Sequence, residues 1–276
     1  MISLNRKRTA AAIKAIYRGA EKRERDKELM FAQRAFLKDP TKKVQFKSTF
    51  WKNAKVQLKK ESNGKCAYCE ANTEVVAHGD VEHYRPKSIY WWLAYTYDNY
   101  LYACQICNQI FKSDNFPIGG TLFPSPNITA TTGDSAIEAL AGNISPDPID
   151  VSLNYTLQMY LDAHISEQAF LLNPYFDDPK QVIAYEADDV KEEVAIVPVH
   201  AAAKRYIKAM EDFYGINRIE LKNFRYLIYT KFKTFKRAHA FLTDVATKRE
   251  VKEQIEDMKS DRYLFAGMNR YFDTRL

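Results

Sequence analysis

Cysteine is scarce in this chain: four residues in 276, at positions 66, 69, 104 and 107. None lies outside two Cys-x2-Cys pairs, which excludes a disulfide-dense secreted scaffold. A long apolar run is missing as well. Nothing approaches the ~18 consecutive apolar residues of a bilayer helix, and the most aromatic stretch, YWWLAYTY from Tyr90 to Tyr97, is far too short. Glycine and proline number only 9 and 10, which excludes collagen-like structure. At 46% hydrophobic and 28% charged residues, the composition is that of a folded globular protein rather than a disordered one. There is no G-x-x-x-x-G-K-[ST] loop, so the chain is not expected to be an ATPase. A secretory signal is not expected either, because Lys14 and Arg18 interrupt the small apolar stretch after Arg6-Lys7-Arg8. The expectation is a cytoplasmic protein of one large or two modest domains, with no membrane partner.

Basic residues are nearly absent from one segment. Residues 119–200 hold 2 Lys/Arg against 13 Asp/Glu, whereas residues 1–60 hold 18 against 5 and residues 201–276 hold 17 against 10. Residues 61–118 are close to balance, with 4 against 7. Two basic ends thus flank an acidic middle. A basic arm is what a phosphate-backbone binder needs. A solvated helix face, or a surface that pairs with the acidic segment of the same chain, has the same composition.

The cysteine spacing is more specific. Two knuckles separated by 34 residues suit a tetrahedral zinc site in which four thiolates saturate the ion. Such a site has no open position, so its zinc is expected to be structural and to contribute directly to folding. Gly64 suits a tight turn before the first knuckle, and Lys65 is expected to offset thiolate charge. Between the knuckles, Val75-Val76-Ala77 and Val81 read as short strands joined at Gly79-Asp80, the second ending at Glu82-His83. A short helix is expected from Gln105 to Lys112. Glu82, His83 and Asn108 are thereby anchored near one zinc. A carboxylate and a carboxamide can hold a hard divalent ion against a phosphate oxygen, and a neutral imidazole can take a proton from water. That is equipment for phosphodiester hydrolysis.

These residues carry a resemblance. Cys66-Ala67-Tyr68-Cys69-Glu70, Val81-Glu82-His83-Tyr84-Arg85-Pro86-Lys87, Tyr90-Trp91-Trp92-Leu93-Ala94-Tyr95, Asn99, and Cys104-Gln105-Ile106-Cys107-Asn108 with Lys112 and Phe116-Pro117 resemble the zinc-supported HNH endonucleases. The resemblance is closer still to the PtuB-like HNH nucleases of retron and Septu anti-phage defence. Leu171-Leu172-Asn173-Pro174, Asp177-Asp178-Pro179 and Tyr214-Gly215-Ile216-Asn217-Arg218 extend it, more weakly, over most of the chain. The resemblance implies a ββα-metal active site with His83 as general base. Glu82 takes the place of the carboxylate ligand, where many members have Asp. Asn108 stands where others have a final histidine, and Asn99 braces the loop that carries the base. An oxygen-rich ligand pair favours Mg²⁺ or Mn²⁺ over zinc at the catalytic position. The resemblance also implies a separate PtuA-like ABC-type ATPase partner.

Each residue has a plainer reading beside that one. Asn99 can be a turn residue, and Asn108 can be favoured simply by a helix start. Arg85, Lys87 and Lys112 are the basic residues of 70–118 and are candidates for phosphate contact. His78 is either a ligand or a strand-edge residue; His164, His200 and His239 read as structural. Trp91 and Trp92 either stack bases or pack behind the aromatic loop. The substrate is DNA or RNA, DNA being favoured, and a zinc-stabilised binding module without cleavage is the rival of a different class.

The expected fold is helix-rich α+β around the zinc-bound ββα core. Residues 1–60 read as a basic helical arm, with helices over 9–38 and 46–60. Residues 61–118 form the nuclease core. Residues 119–276 form a C-terminal region that opens with a long or mobile loop at 119–150, which holds four of the glycines and four of the prolines. Residues 151–162 fit strand or helix. Val182 to Tyr185 and Val194 to Val197 read as a hairpin, and helices are expected over 201–213, 217–243 and 247–266.

Overall fold

A left-handed glycine decides where the first long helix begins. In the computed structural model, which describes residues 1–73, 79–152 and 154–276, Gly19 lies at φ +55, a conformation glycine adopts at little cost. Its N–H donates to Asp147 Oδ2 at 2.6 Å. Helix α1 therefore runs Gly19–Lys38 rather than from residue 9. Before it stands a single 3-10 turn, Ala15–Tyr17, which buries Ile13 and Tyr17 without continuous helix. The second expected helix is split into α2 (Ser48–Lys52) and α3 (Lys55–Glu61). Asn53 and Ala54 divide them: the Asn53 amide donates back to the Thr49 carbonyl at 2.7 Å, a local bond that competes with helix continuation.

The two knuckles are joined through a small antiparallel sheet. Strand β1 (Asp80–His83) pairs with β2 (Tyr100–Ala103), Glu82 opposite Leu101 and His83 opposite Tyr100. The strand expected at Val75-Val76-Ala77, and His78 with it, lies outside the described residues, so the partner seen for β1 comes from beyond the aromatic loop. After β2 the chain enters a π-helix, Ile106–Lys112. Its wider repeat places Cys107 and Lys112, five residues apart, both on the buried side.

The remainder is helical with one hairpin. Residues 119–150 contain α4 (Asp134–Leu140) and bury Phe123, Ile137, Ala141 and Ile144 against Trp92 and Met30. Trp92 is thus core, which favours the packing reading of the Trp91-Trp92 pair. Helix α5 (Leu157–Glu167) makes 157–162, the second half of the ambiguous 151–162 segment, helical; Thr156 caps it, its Oγ1 accepting from the Met159 N–H. The hairpin is β3 (Ile183–Asp188) with β4 (Glu193–Pro198). Helices α6 (Lys204–Tyr214), α7 (Ile219–Phe241), α8 (Val245–Lys259) and α9 (Ala266–Asp273) follow. The break at Ser260, unmarked by Gly or Pro, makes α9 a separate helix. Among the described residues, no helix is long and apolar enough to cross a membrane.

Part of the basic N-terminal charge is paired within the chain. Arg8 grips the buried Asp98 with both terminal nitrogens, at 2.6 and 3.1 Å. Arg6 meets Glu61, Lys27 meets Glu138, and Arg34 meets Asp134. The last two pairs tie α1 to the acidic segment around α4. Of the readings open for the basic N-terminal residues, pairing within the chain accounts for these.

One buried ion pair anchors the exit from β1. Arg85, with 0% exposure, donates from Nε to Glu167 Oε2 at 2.8 Å and from Nη1 to the Tyr160 hydroxyl at 2.9 Å. Its Nη2 lies 3.1 Å from His164 Nδ1, whose Nε2 in turn reaches Asp177. Breaking a buried pair by removing one partner leaves an uncompensated charge, a loss of about 3–5 kcal/mol. Arg85→Met and Glu167→Gln are each expected to lower unfolding free energy by about that amount in denaturant titrations. An Arg85 that touched only external phosphate would leave stability unchanged.

Candidate active site and metal centre

The four cysteines converge. The Cys66, Cys69, Cys104 and Cys107 sulfurs all lie within 4.8 Å of one another, three of the residues buried and Cys104 half-buried. The first knuckle is shaped by Gly64 at φ +74 and by Glu70 at φ +60. The Glu70 N–H closes it on the Cys66 carbonyl at 3.0 Å, and the Ala67 N–H joins it to β2 through the Tyr102 carbonyl at 2.9 Å. In the second knuckle the Cys107 N–H points at Cys104 Sγ, 3.4 Å away. Contact between the sulfurs splits their acidity: Cys69 and Cys104 are drawn down by hydrogen bonds from the neighbouring thiols, while Cys66 is pushed up, chiefly by burial. Four soft donors in one small volume match the ligand set of a tetrahedral zinc ion.

The cation beside the sulfurs is not Lys65. That ammonium is buried against the Tyr263 carbonyl at 2.8 Å and Glu70 at 3.4 Å. Arg218 takes the position instead, with Nη1 3.6 Å from Cys107 Sγ. Its neighbours in Tyr214-Gly215-Ile216-Asn217-Arg218 explain that motif. Tyr214 stacks on Tyr68 with ring centroids 3.8 Å apart. Gly215 ends α6 at φ +60, and a Cβ there would stand 2.6 Å from the Phe111 ring. Asn217 exchanges two hydrogen bonds with the Ile196 backbone in β4. The C-terminal region is thereby sewn to the knuckle.

A cleft of about 560 Å³ opens at the end of β1. Glu82, His83 and Asn108 all line it. Neighbouring strand residues face opposite ways, but β1 stops at His83, so the cleft takes in both faces of its last two residues. His83 is nearly buried, its ring edge-on to Trp51 and Tyr100 at 4.9 and 5.1 Å. Its Nε2 lies 3.0 Å from the Ala94 carbonyl, a contact that needs an N–H there. The lone pair then resides on Nδ1. Burial, reinforced by the Lys87 ammonium, pushes the imidazole down to about 3, so the ring is neutral near pH 7.

Glu82 is buried beneath the same opening. Lys112 Nζ pairs with its Oε1 at 2.7 Å, and the Tyr68 hydroxyl donates to the same oxygen at 3.4 Å. Among the described residues no group of the chain is bonded to Oε2. Burial raises the carboxyl above its usual range while Lys112 opposes the rise. Asn108 is half-exposed in the π-helix, which closes with the Ser113 N–H on the Asn108 carbonyl at 2.8 Å. Ser113 itself sits at φ +47, an uncommon position for a residue with a side chain.

Asn99 is fully buried and does not reach the cleft. Its Oδ1 accepts from the Arg85 N–H at 2.8 Å, and its Nδ2 donates to the Arg85 carbonyl at 3.0 Å and the Leu93 carbonyl at 3.3 Å. The side chain thus clamps the backbone two residues after His83. Of the cations expected at phosphate, only Lys87 lines the cleft. Arg85 is committed to Glu167. Lys112 is fully buried and also donates to the His83 carbonyl at 3.0 Å. Neither presents its charge to solvent, so both expectations are corrected. Burial was not legible from their place in sequence, since their acidic partners lie 82 and 30 positions away.

The cleft also contains residues that motif reading passed over. Trp51, Lys52 and Lys55 come from the α2–α3 joint, and Asp80 and Asp114 from the flanks of β1 and the π-helix. Asp80 accepts from Gln109 at 2.8 Å. The N-terminal charge excess was the available signal for the lysines, but nothing local marked which of them face the site. A second cavity, about 600 Å³, lies beside β3 and α9 among Tyr185, Arg270 and Tyr271. It joins no base to metal-ligating groups, so the smaller cleft is the candidate active site.

The chain is similar to the Septu protein PtuB of Bacillus mycoides (strain KBAB4), with 27% identity over 209 residues. The match covers 71% of this chain and 57% of the relative, so the chain spans little more than half of that protein's length. No family model matches the chain, and no solved structure matches it. With its paired knuckles gathered into one sulfur cluster, the chain is similar over most of its length to a PtuB-like Septu protein.

Proposed function

We propose that this chain is a metal-dependent HNH endonuclease that hydrolyses nucleic-acid phosphodiester bonds, DNA above all, in the cytoplasm as an effector of anti-phage defence. The observation that supports it most is the convergence of Glu82, His83 and Asn108 on one cleft next to the four-sulfur cluster. The likeness to a Septu protein supports the defence role.

The chemistry follows from the site's own groups. Glu82 and Asn108 offer oxygen atoms of the kind that hold Mg²⁺ or Mn²⁺. When bound, such an ion polarises a phosphate oxygen and stabilises the leaving 3′ oxygen. His83 Nδ1 accepts the proton of the attacking water, and the bond from Nε2 to Ala94 holds the ring in the tautomer that leaves Nδ1 free. Asn99 acts on the backbone, keeping the chain after His83 in place. The sulfur cluster takes no part in cleavage and holds zinc as a structural ion. One such site cuts one strand, so a double-strand break needs a second copy or a second visit.

The partner proposed is a PtuA-like ABC-type ATPase, since this sequence carries no phosphate-binding loop of its own. Co-purification with and without nucleotide tests this, and failure to associate under any nucleotide condition overturns it.

Two variants separate the two metal roles. His83→Ala is expected to lower Mg²⁺- or Mn²⁺-dependent cleavage of plasmid DNA by about 10²–10⁴-fold, with zinc content unchanged and a stability loss of about 1–3 kcal/mol. Cys107→Ser is expected to lose zinc, measured by mass spectrometry of the metal, and to melt far earlier. Equal behaviour of the two in melting and metal content would refute the separation. Parallel digestion of total RNA, with RNA cut and DNA intact, would move the substrate assignment.

A further inference from the structure

Part of the positive charge of the N-terminal residues is paired within the chain, on Asp98, Glu61, Asp134 and Glu138. At the cleft it is not. Lys52 ends α2, Lys55 begins α3, and Lys87 follows β1; all three line the cleft of Glu82, His83 and Asn108. Lys52 is exposed and the other two are half-exposed. Among the described residues none of the three is paired with a carboxylate. Trp51 lines the cleft with them and neighbours both the base and Lys87. Its ring is 4.9 Å from the His83 ring, and Lys87 Nζ lies 5.7 Å from its centre. Asp80 and Asp114 line the cleft as well, and they repel a polyanion from their part of it.

We infer that Lys52, Lys55 and Lys87 are phosphate-binding residues of this chain, seating the backbone of a nucleic-acid strand along the α2–α3 side of the cleft. This rests on the nuclease reading and specifies where its substrate lies. Unpaired ammonium groups attract a phosphodiester chain and release its condensed counterions. The two aspartates leave the lysine side as the favourable track. A backbone on that track passes over Trp51 and brings a phosphate to His83. Arg85 and Lys112 cannot share the task because both are buried against carboxylates of the chain.

The test is equilibrium binding of a fluorescent DNA duplex by the full chain carrying His83→Ala, which prevents cleavage, over a series of KCl concentrations. Adding K52Q, K55Q and K87Q together is expected to weaken binding at 50 mM salt by about tenfold or more, and to reduce the slope of log affinity against log salt by up to about 2.7. K231Q, R237Q and K252Q, on helices that do not line the cleft, serve as the charge-matched control and are expected to leave both quantities unchanged. Zinc content and melting confirm that each variant is folded. An unaltered slope in the cleft variant, or an equal fall in the control, overturns the inference while leaving intact any cleavage the wild-type chain performs. A wild-type chain that neither binds nor cuts DNA or RNA overturns the nuclease reading and this inference together.

Discussion

Four thiols packed within 4.8 Å of one another are the constraint on which this architecture turns. As separate ionised groups they would repel in a volume closed to water; as ligands of one ion they become a crosslink. Such a crosslink would join a turn after α3 to the joint between β2 and the π-helix. β1 is held between those two points, paired along its length with β2. Its last two residues are Glu82 and His83. Arg218 brings a long-range cation to the same cluster, so the C-terminal helices are tied to the sulfurs as well as packed around them.

A second restraint works from the other end of the site. Asn99 holds the Arg85 backbone on both sides, and the Arg85 side chain is held by Glu167, Tyr160 and His164. Asp177 extends this chain into the Leu171-Leu172-Asn173-Pro174 segment, where its other oxygen accepts from the Asn173 N–H. The residues after the candidate base are therefore fixed by a buried polar network with most of its members satisfied. Such networks are costly to break and specify a single arrangement. Lys112 adds a third tie, joining the π-helix to both the Glu82 side chain and the His83 carbonyl.

The distribution of charge has the same logic. A basic first segment and an acidic middle attract one another, and α1 lies against α4 through Lys27–Glu138 and Arg34–Asp134. Arg8 on Asp98 and Arg6 on Glu61 continue that pairing towards the β1–β2 sheet. What remains uncompensated at the cleft is a small set of lysines. Net charge along the chain is thus a poor guide to a binding surface until the internal pairs have been identified.

The sequence by itself determined the sulfur cluster, because two Cys-x2-Cys knuckles with no cysteine elsewhere leave few other arrangements. It also determined the β3–β4 hairpin and the helical C-terminal region, since alternation and helical periodicity are local signals. Glu82, His83 and Asn108 were legible because they adjoin the strand and the knuckle that carry them. Only the tertiary structure decided that Arg85 and Lys112 are internal, that α1 starts at Gly19, and that Lys52 and Lys55 border the cleft. Those outcomes depend on partners far away in the chain: Glu167 for Arg85, Asp147 for Gly19, β1 for the α2–α3 joint. A charged residue reads the same in sequence whether it faces solvent or a buried carboxylate, and the choice between them is made by burial, which is a property of the whole fold.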